Sequence, residues 1–232
     1  MLGGIILGTI LAMSARTVDL LAYERPLVER GEVVVGLDEV GRGALAGPLT
    51  VGAVVVKCDA PPPEGLTDSK ALSSKQREEL IRPLKRWSTD WSLGSVSALE
   101  IDLWGLRLAL AVAATRAIDG LTSRPTYALL DGSFNLLDAP LRLGDEALGA
   151  PSLTYATMQH TTIVKGDAHC GTIAAASVIA KVHRDRVMRG LAKEFPVYGW
   201  HANKGYGAPT HLAALVESGP CDYHRKSWNL TY

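Results

Sequence analysis

Val33-Val34-Val35-Gly36-Leu37-Asp38-Glu39-Val40-Gly41-Arg42-Gly43 runs from a β-branched apolar stretch into two adjacent carboxylates and a glycine-flanked arginine. Val33 to Asp38 is a short, continuous apolar run of strand type. Asp38 and Glu39 therefore stand where a buried strand should end. Carboxylates in such a setting are costly unless a cation neutralises them. A divalent metal ion is the economical partner, because hard cations take oxygen ligands. Neighbours on a strand face opposite sides. Both carboxylates can then reach one metal only if the strand breaks there, and Gly41 and Gly43 are expected to supply the break. The Gly41-Arg42-Gly43 turn brings bare backbone and one guanidinium beside that site, which suits a phosphodiester better than a small neutral substrate.

Working outward, Leu49 to Lys57 is a second β-branched run. Gly47-Pro48 punctuates the gap, so the two strands are expected to pair antiparallel through the glycine-rich loop. Pro61-Pro62-Pro63-Glu64-Gly65 reads as a rigid surface loop. Ser73-x-x-Gln76 is a capping box that opens a helix to about Arg86, with Pro83 disturbing its last turn. Trp87 to Val96 reads as a strand. Ser97-x-x-Glu100 is a second capping box, opening a long helix rich in Ala and Leu that stops at Gly120. Thr126 to Asp131 is a short buried strand, Ser133 to Pro151 a loop, and Thr161 to Val164 another strand. Cys170 to Glu194 is a long helix closed by Pro196. The small residues Ala174-Ala175-Ala176-Ser177 near its start suit close packing on a sheet. One helix, about Pro209 to Glu217, is expected in the aromatic tail. The order predicts an α/β layer fold: a central mixed β-sheet flanked by helices, with a helical C-terminal extension.

The chain has 232 residues, 47% of them hydrophobic, so a full core can be buried. Its formal net charge of +0 excludes global attraction to nucleic acid or anionic membranes, so any polyanion site must be local. One basic stretch exists: Lys165, Lys181, Arg184, Arg186, Arg189 and Lys193 face only Asp167 and Asp185. Three scattered cysteines without Cys-x-x-Cys spacing suggest neither zinc nor a disulfide framework, and a reducing, cytoplasmic setting fits. Met1 to Met13 is apolar but too short to span a membrane, which takes about 20 residues. It lacks the basic start of a signal peptide. A true start at Met13 and a packed extra helix both remain open.

Three acidic positions recur at strand ends or just beyond them: Asp38-Glu39, Asp131 and Asp167. Alone, Asp131 reads as the start of an Asp-Gly turn and Asp167 as a helix cap. Together, four carboxylates converging at strand ends would repel unless metal neutralised them, and two ions could clamp the attacking and leaving oxygens of a phosphodiester. Gly41-x-Gly43-x-x-x-Gly47 echoes a dinucleotide fingerprint only faintly, because Pro48 and a β-rich run follow where a helix should open. A non-catalytic nucleic-acid-binding protein would be expected to lack one of the four carboxylates.

The chain resembles the type 2 ribonucleases H of bacteria, ribonuclease HII. The resemblance rests on Asp38-Glu39-Val40-Gly41-Arg42-Gly43, Thr67-Asp68-Ser69-Lys70, Leu130-Asp131-Gly132, Val164-Lys165-Gly166-Asp167, Ala174-Ala175-Ala176-Ser177-Val178-Ile179-Ala180-Lys181 and Lys204-Gly205-Tyr206-Gly207, in that order. It implies a ribonuclease H-like fold. An N-terminal leader or extra helix (1–30) would precede the catalytic domain (31–195), and a substrate-contacting extension (196–232) would follow. It implies cleavage on the 5′ side of ribonucleotides in RNA–DNA hybrids, and of single ribonucleotides embedded in duplex DNA, leaving 3′-hydroxyl and 5′-phosphate ends. Such cleavage serves ribonucleotide and primer removal. By the same resemblance Asp38, Glu39, Asp131 and Asp167 hold two Mg²⁺ or Mn²⁺ ions, with Asp185 a rival for the fourth place. Gly41, Arg42 and Gly43 read the 2′-hydroxyl. Tyr206 stacks on the sugar of the next deoxynucleotide. Lys70 and Lys181 contact phosphate, assisted by Ser69. The sibling ribonuclease HIII carries a domain ahead of this motif, for which the 37 residues before Asp38 are too few. A monomer with no membrane partner is expected.

Overall fold

The computed structural model describes residues 18–139 and 149–230. The apolar leader Met1 to Met13 and part of the Ser133–Pro151 loop lie outside the described residues. In chain order, helix α1 (Glu24–Glu29) precedes strands β1 (Val34–Val40) and β2 (Leu49–Val55). Then come α2 (Ser74–Trp87), β3 (Asp90–Val96) and α3 (Ala98–Asp119). Strands β4 (Tyr127–Asp131) and β5 (Gln159–Ile163) follow, then a single turn α4 (Gly166–His169) and the long α5 (Gly171–Glu194). The tail adds α6 (Trp200–Asn203) and α7 (Pro209–Ser218).

Both predicted capping boxes are present. The Ser73 hydroxyl accepts from the Gln76 N–H at 3.3 Å, and the Gln76 side chain accepts from the Ser73 N–H at 2.8 Å. Ser97 and Glu100 do the same for α3. Each satisfies two N–H groups that the first helical turn would otherwise leave unpaired. Pro83 lies inside α2 without ending it. The long helix α3 is interrupted at Gly105 (φ 75°, ψ 161°), a kink the sequence reading did not foresee.

The five strands form one mixed sheet in the order β3-β2-β1-β4-β5. β1 pairs antiparallel with β2 and parallel with β4, and β5 is parallel to β4. Helices cover both faces, which is why β2 is buried along its whole length. Val35 and Leu37 of β1 pack with Val51 and Ala53 against the alanine-rich α3. Fully burying such a side chain contributes roughly 1.5–3 kcal/mol. The other face lies under α5. A Cβ on Gly36 would fall 2.3 Å from Thr172 Oγ1, and one on Gly52 2.5 Å from the Ala176 carbonyl. Backbone therefore touches backbone where α5 crosses β1 and β2, and the run Ala174 to Ser177 keeps the helix this low.

Three boundaries depart from expectation, the first being Trp87, expected to open a strand, which is the last residue of α2, so that β3 begins at Asp90. β5 begins at Gln159 and ends at Ile163, because it is an edge strand whose polar residues carry no buried pattern. Strand β1 does not break at its carboxylates. It continues through Asp38 and Glu39 to Val40, and Val40 still pairs with Thr50.

Candidate active site

What opens the sheet at Asp38-Glu39 is the partner strand. β1 and β4 are paired only as far as Leu37 and Leu130, and β4 ends at Asp131. Beyond that point β1 has a neighbour on one side only. Asp38 has the strand parity of Gly36, so it points at α5, while Glu39 points the other way. A cleft of about 440 Å³ opens there, lined by both carboxylates. The exposed edge of β1 brings the pair together, and the expected chain break is not needed.

The same cleft is lined by Gly41, Arg42, Gly43, Ser69, Lys70, Asp131, Lys181 and Tyr206. Asp167 sits behind them, 4% exposed, its carboxylate 3.4 Å from Lys70 Nζ. It lies on the separate turn α4 and not at the mouth of the long helix. Lys165 enters that turn in the left-handed region (φ 57°), and the Gly166 N–H donates to Asp131 Oδ1 at 2.8 Å. The turn after β5 is thereby pinned to the carboxylate that ends β4. A larger hollow, about 540 Å³, lies between Val18–Leu20 and Pro61–Thr67, where Asp19 and Arg25 neutralise each other. It gathers no carboxylate cluster, so the smaller cleft is the chemical one.

The electrostatics show a site short of positive charge. Asp38 is 5% exposed, and burial pushes its carboxyl up to about 8. A Ser177 hydrogen bond opposes the shift, while the charges of Glu39, Asp131 and Asp167 add to it. Burial also raises Glu39, with Arg42 pulling it back and Asp131 pushing further. Asp167 is raised by burial, by a hydrogen bond that its protonated form donates to Asp68 and by the charge of Asp131, against Lys70. The cations present are few and outlying. Arg42 reaches Glu39 at 3.6 Å while its guanidinium lies 4.8 Å from the Phe134 ring. Burial pulls the Lys70 ammonium down, but Asp167, Asp68 and Asp38 outweigh it and hold it above its ordinary range.

Among the described residues, no three histidine, cysteine or acidic side chains already stand arranged to hold a metal ion. The donor set nevertheless fits one. Four carboxylates offer only hard oxygen ligands, and a divalent cation would offset the burial that pushes the Asp38 carboxyl up. Asp185, the rival fourth acid, is otherwise engaged, since Lys181 donates to it at 2.6 Å and Arg77 lies 4.0 Å away.

Two buried arginines hold the glycine-rich loop: Arg184, which the sequence shows only as part of a basic stretch, and Arg225, which it does not single out. Arg184 donates to the carbonyls of Pro48 (2.7 Å), Ala46 (3.0 Å) and Lys204 (2.9 Å). Its guanidinium also lies 5.4 Å from the Tyr206 ring. Arg225 donates to the carbonyls of Arg42 (2.7 Å) and Gly41. Each such bond to a charged donor contributes roughly 1.5–3 kcal/mol. Gly41 has φ +86°, and a Cβ there would lie 2.2 Å from Arg184 Nε, so the loop closes over the guanidinium only with glycine. Gly43 is different: a Cβ there meets nothing within 4 Å.

The tail completes the frame. Leu45 N–H donates to the Gly205 carbonyl, Gly47 N–H to Tyr223, and Arg225 N–H to Leu45. His211 Nδ1 lies 2.9 Å from the Tyr206 carbonyl, and its Nε2 lies 3.1 Å from Trp200 Nε1 and 3.0 Å from His224 Nε2. The geometry gives both imidazoles neutral tautomers, with His211 donating to Tyr206 and accepting from Trp200 and His224. Burial lowers both, His224 to about 4.

The sequence profile of the ribonuclease HII family matches residues 35–231. A ribonuclease HII of Streptomyces avermitilis is 45% identical over 217 residues, covering 90% of this chain and 85% of its own length. One from Burkholderia mallei is 43% identical over 198 residues, covering 85% and 84%. The crystal structure of ribonuclease H2 from Pyrococcus horikoshii superposes with a TM-score of 0.64 at 27% identity, covering 85% of this chain and 94% of that one.

Proposed function

The chain belongs to the ribonuclease HII family, an endoribonuclease family of the ribonuclease H class, and from that premise we propose that it cuts on the 5′ side of ribonucleotides. Its substrates are RNA–DNA hybrids and DNA duplexes with a single embedded ribonucleotide, and the products carry 3′-hydroxyl and 5′-phosphate ends. The observation that carries this reading is the buried Asp38 meeting Glu39 and Asp131 at one cleft, with Asp167 close behind, beside a loop exposed at Arg42 and Gly43. Asp38, Glu39, Asp131 and Asp167 are the groups that would hold two Mg²⁺ or Mn²⁺ ions. When bound, such ions activate water and neutralise charge on the leaving 3′ oxygen.

The remaining residues bind and orient. Lys70 and Lys181 reach into the cleft as point charges for phosphate, and Ser69 offers a hydroxyl beside them. Gly43 leaves backbone uncovered, so its peptide can approach a 2′-hydroxyl, which both donates and accepts. Tyr206 stands 36% exposed at the cleft wall, its carbonyl fixed by His211 and its ring beside Arg184, ready to stack on the following deoxyribose. Arg42 is held beside Glu39 and Phe134, within reach of the same backbone.

The test is a DNA duplex with one ribonucleotide, labelled at the 5′ end of that strand, incubated with Mg²⁺ or Mn²⁺ beside an all-DNA control. A single metal-dependent cut 5′ of the ribonucleotide is expected. Asp131→Asn should lose cleavage by at least about a hundred-fold while binding the duplex nearly as well. Cleavage of the all-DNA control, or full activity of that variant, would overturn the reading.

A further inference from the structure

Ser177, Lys181 and Asp185 lie on α5 at four-residue steps, so they form one row along the helix. The row faces α2 and the loop before it. Ser177 Oγ is 2.8 Å from Ser69 Oγ, and Lys181 Nζ donates to Asp185 Oδ1 at 2.6 Å. The other oxygen of Asp185 lies 4.0 Å from Arg77. Arg77, in the first helical turns of α2, reaches back and donates to the carbonyls of Ser69 at 2.7 Å and Leu72 at 2.5 Å. Those two carbonyls bracket Lys70. Asp185 is 5% exposed and does not line the cleft, whereas Lys70 and Lys181 both do.

A lysine is a flexible point charge that must lose rotamer freedom to meet a phosphate. A buried carboxylate, in turn, must be met by cations or is strongly disfavoured. One residue here answers both needs. We propose that Asp185 is a positioning residue for substrate phosphate: it holds Lys181 directly and the Lys70 loop through Arg77, presenting both cations to the phosphodiester at a set separation. This gives Asp185 a role distinct from that of the metal-binding carboxylates. It rests on the reading that Lys70 and Lys181 meet phosphate.

The experiment is steady-state cleavage of the single-ribonucleotide duplex by the full chain and by Lys181→Ala, Asp185→Asn and the double variant. Lys181→Ala is expected to raise KM about ten-fold, the loss of one charge-assisted bond, with kcat within about two-fold. Asp185→Asn should also raise KM with little change in kcat, and the double variant should fall well short of the product of the two losses, because both changes act on Lys181. Multiplying losses in the double variant would overturn the proposal. So would an unchanged KM in Asp185→Asn, or a kcat loss matching that of Asp131→Asn, which would make Asp185 a reacting carboxylate. An unchanged KM in Lys181→Ala overturns the phosphate reading itself and this inference with it. Should Asp185→Asn fail to fold by circular dichroism, the Arg77→Lys and Lys70→Ala pair takes its place. Non-multiplying KM effects there support the same hub, and multiplying effects reject it.

Discussion

At the scale of single residues, Asp38 is the cleft carboxylate whose burial matters most for its charge. Its folded-state pKa of about 8 stands above the value of about 3.9 expected in an unfolded chain. Between those values the native state binds the extra proton, so the metal-free protein loses stability as pH rises through that window. Asp38→Asn should remove this loss. In EDTA at pH 8 the variant is expected to melt at least about 2–4 °C above the parent, the equivalent of about 1 kcal/mol in a chain of this size. Added Mg²⁺ should raise the parent's melting temperature and leave the variant's nearly unchanged. A parent whose melting temperature is flat from pH 4 to 8 would contradict the burial argument. The two glycines of the loop separate fold from function at the same scale. Gly41→Ala drives a Cβ into Arg184 at a positive φ and should destabilise by at least about 2 kcal/mol. Gly43→Ala meets open space, so it should melt with the parent yet cut several-fold more slowly. Equal melting of both variants would reject this division.

At the scale of elements, the loop between β1 and β2 is shaped by distant partners. Arg225 reaches it from 183 residues along the chain. Arg225→Ala would leave the Gly41 and Arg42 carbonyls without their donor, costing at least about 2 kcal/mol and roughly 4–8 °C in melting temperature. Cleavage should fall with it even at temperatures where the variant is folded, a result checked by activity at 20 °C beside a melt. These distances explain what the sequence could disclose. The capping boxes at Ser73 and Ser97 were legible because both partners lie three residues apart. The antiparallel β1–β2 pair was legible from two β-branched runs around Gly47-Pro48. Asp38, Glu39, Asp131 and Asp167 could be picked out because acids at strand ends are conspicuous. The Arg184 and Arg225 clamps were not legible, since their acceptors are backbone carbonyls that no residue type advertises. The placement of Asp167 on its own turn depended on Lys165 adopting a left-handed conformation, which a lysine rarely announces. Nor could the pairing limit of β1 with β4 be read, because it is set by where β4 ends and not by anything in β1.

At the scale of the whole molecule, the balanced net charge sets how the protein meets a polyanion. With no global field to draw on, affinity must come from the cations at the cleft, chiefly Arg42, Lys70 and Lys181. Each phosphate neutralised contributes about −0.9 to the slope of log affinity against log salt, so a duplex bound in EDTA should show a slope of about −3. A slope beyond −6 would mean that a wider basic surface carries the binding. In the described residues no helix is long and apolar enough to cross a membrane.

Helix α5 addresses nearly every part of this machinery from one rigid rod. Thr172 and Ala176 meet the sheet at Gly36 and Gly52, Ser177 meets Asp38, and Lys181 enters the cleft. Arg184 and Met188 lie under the glycines of the loop, and Asp185 holds Lys181. A single inserted or deleted residue turns everything beyond it by about 100°. Such a change between Ala176 and Met188 would misplace Lys181 and the loop anchor in one step. Length variation should therefore be barred from this stretch across the chain's descendants, while point changes on its solvent face pass freely.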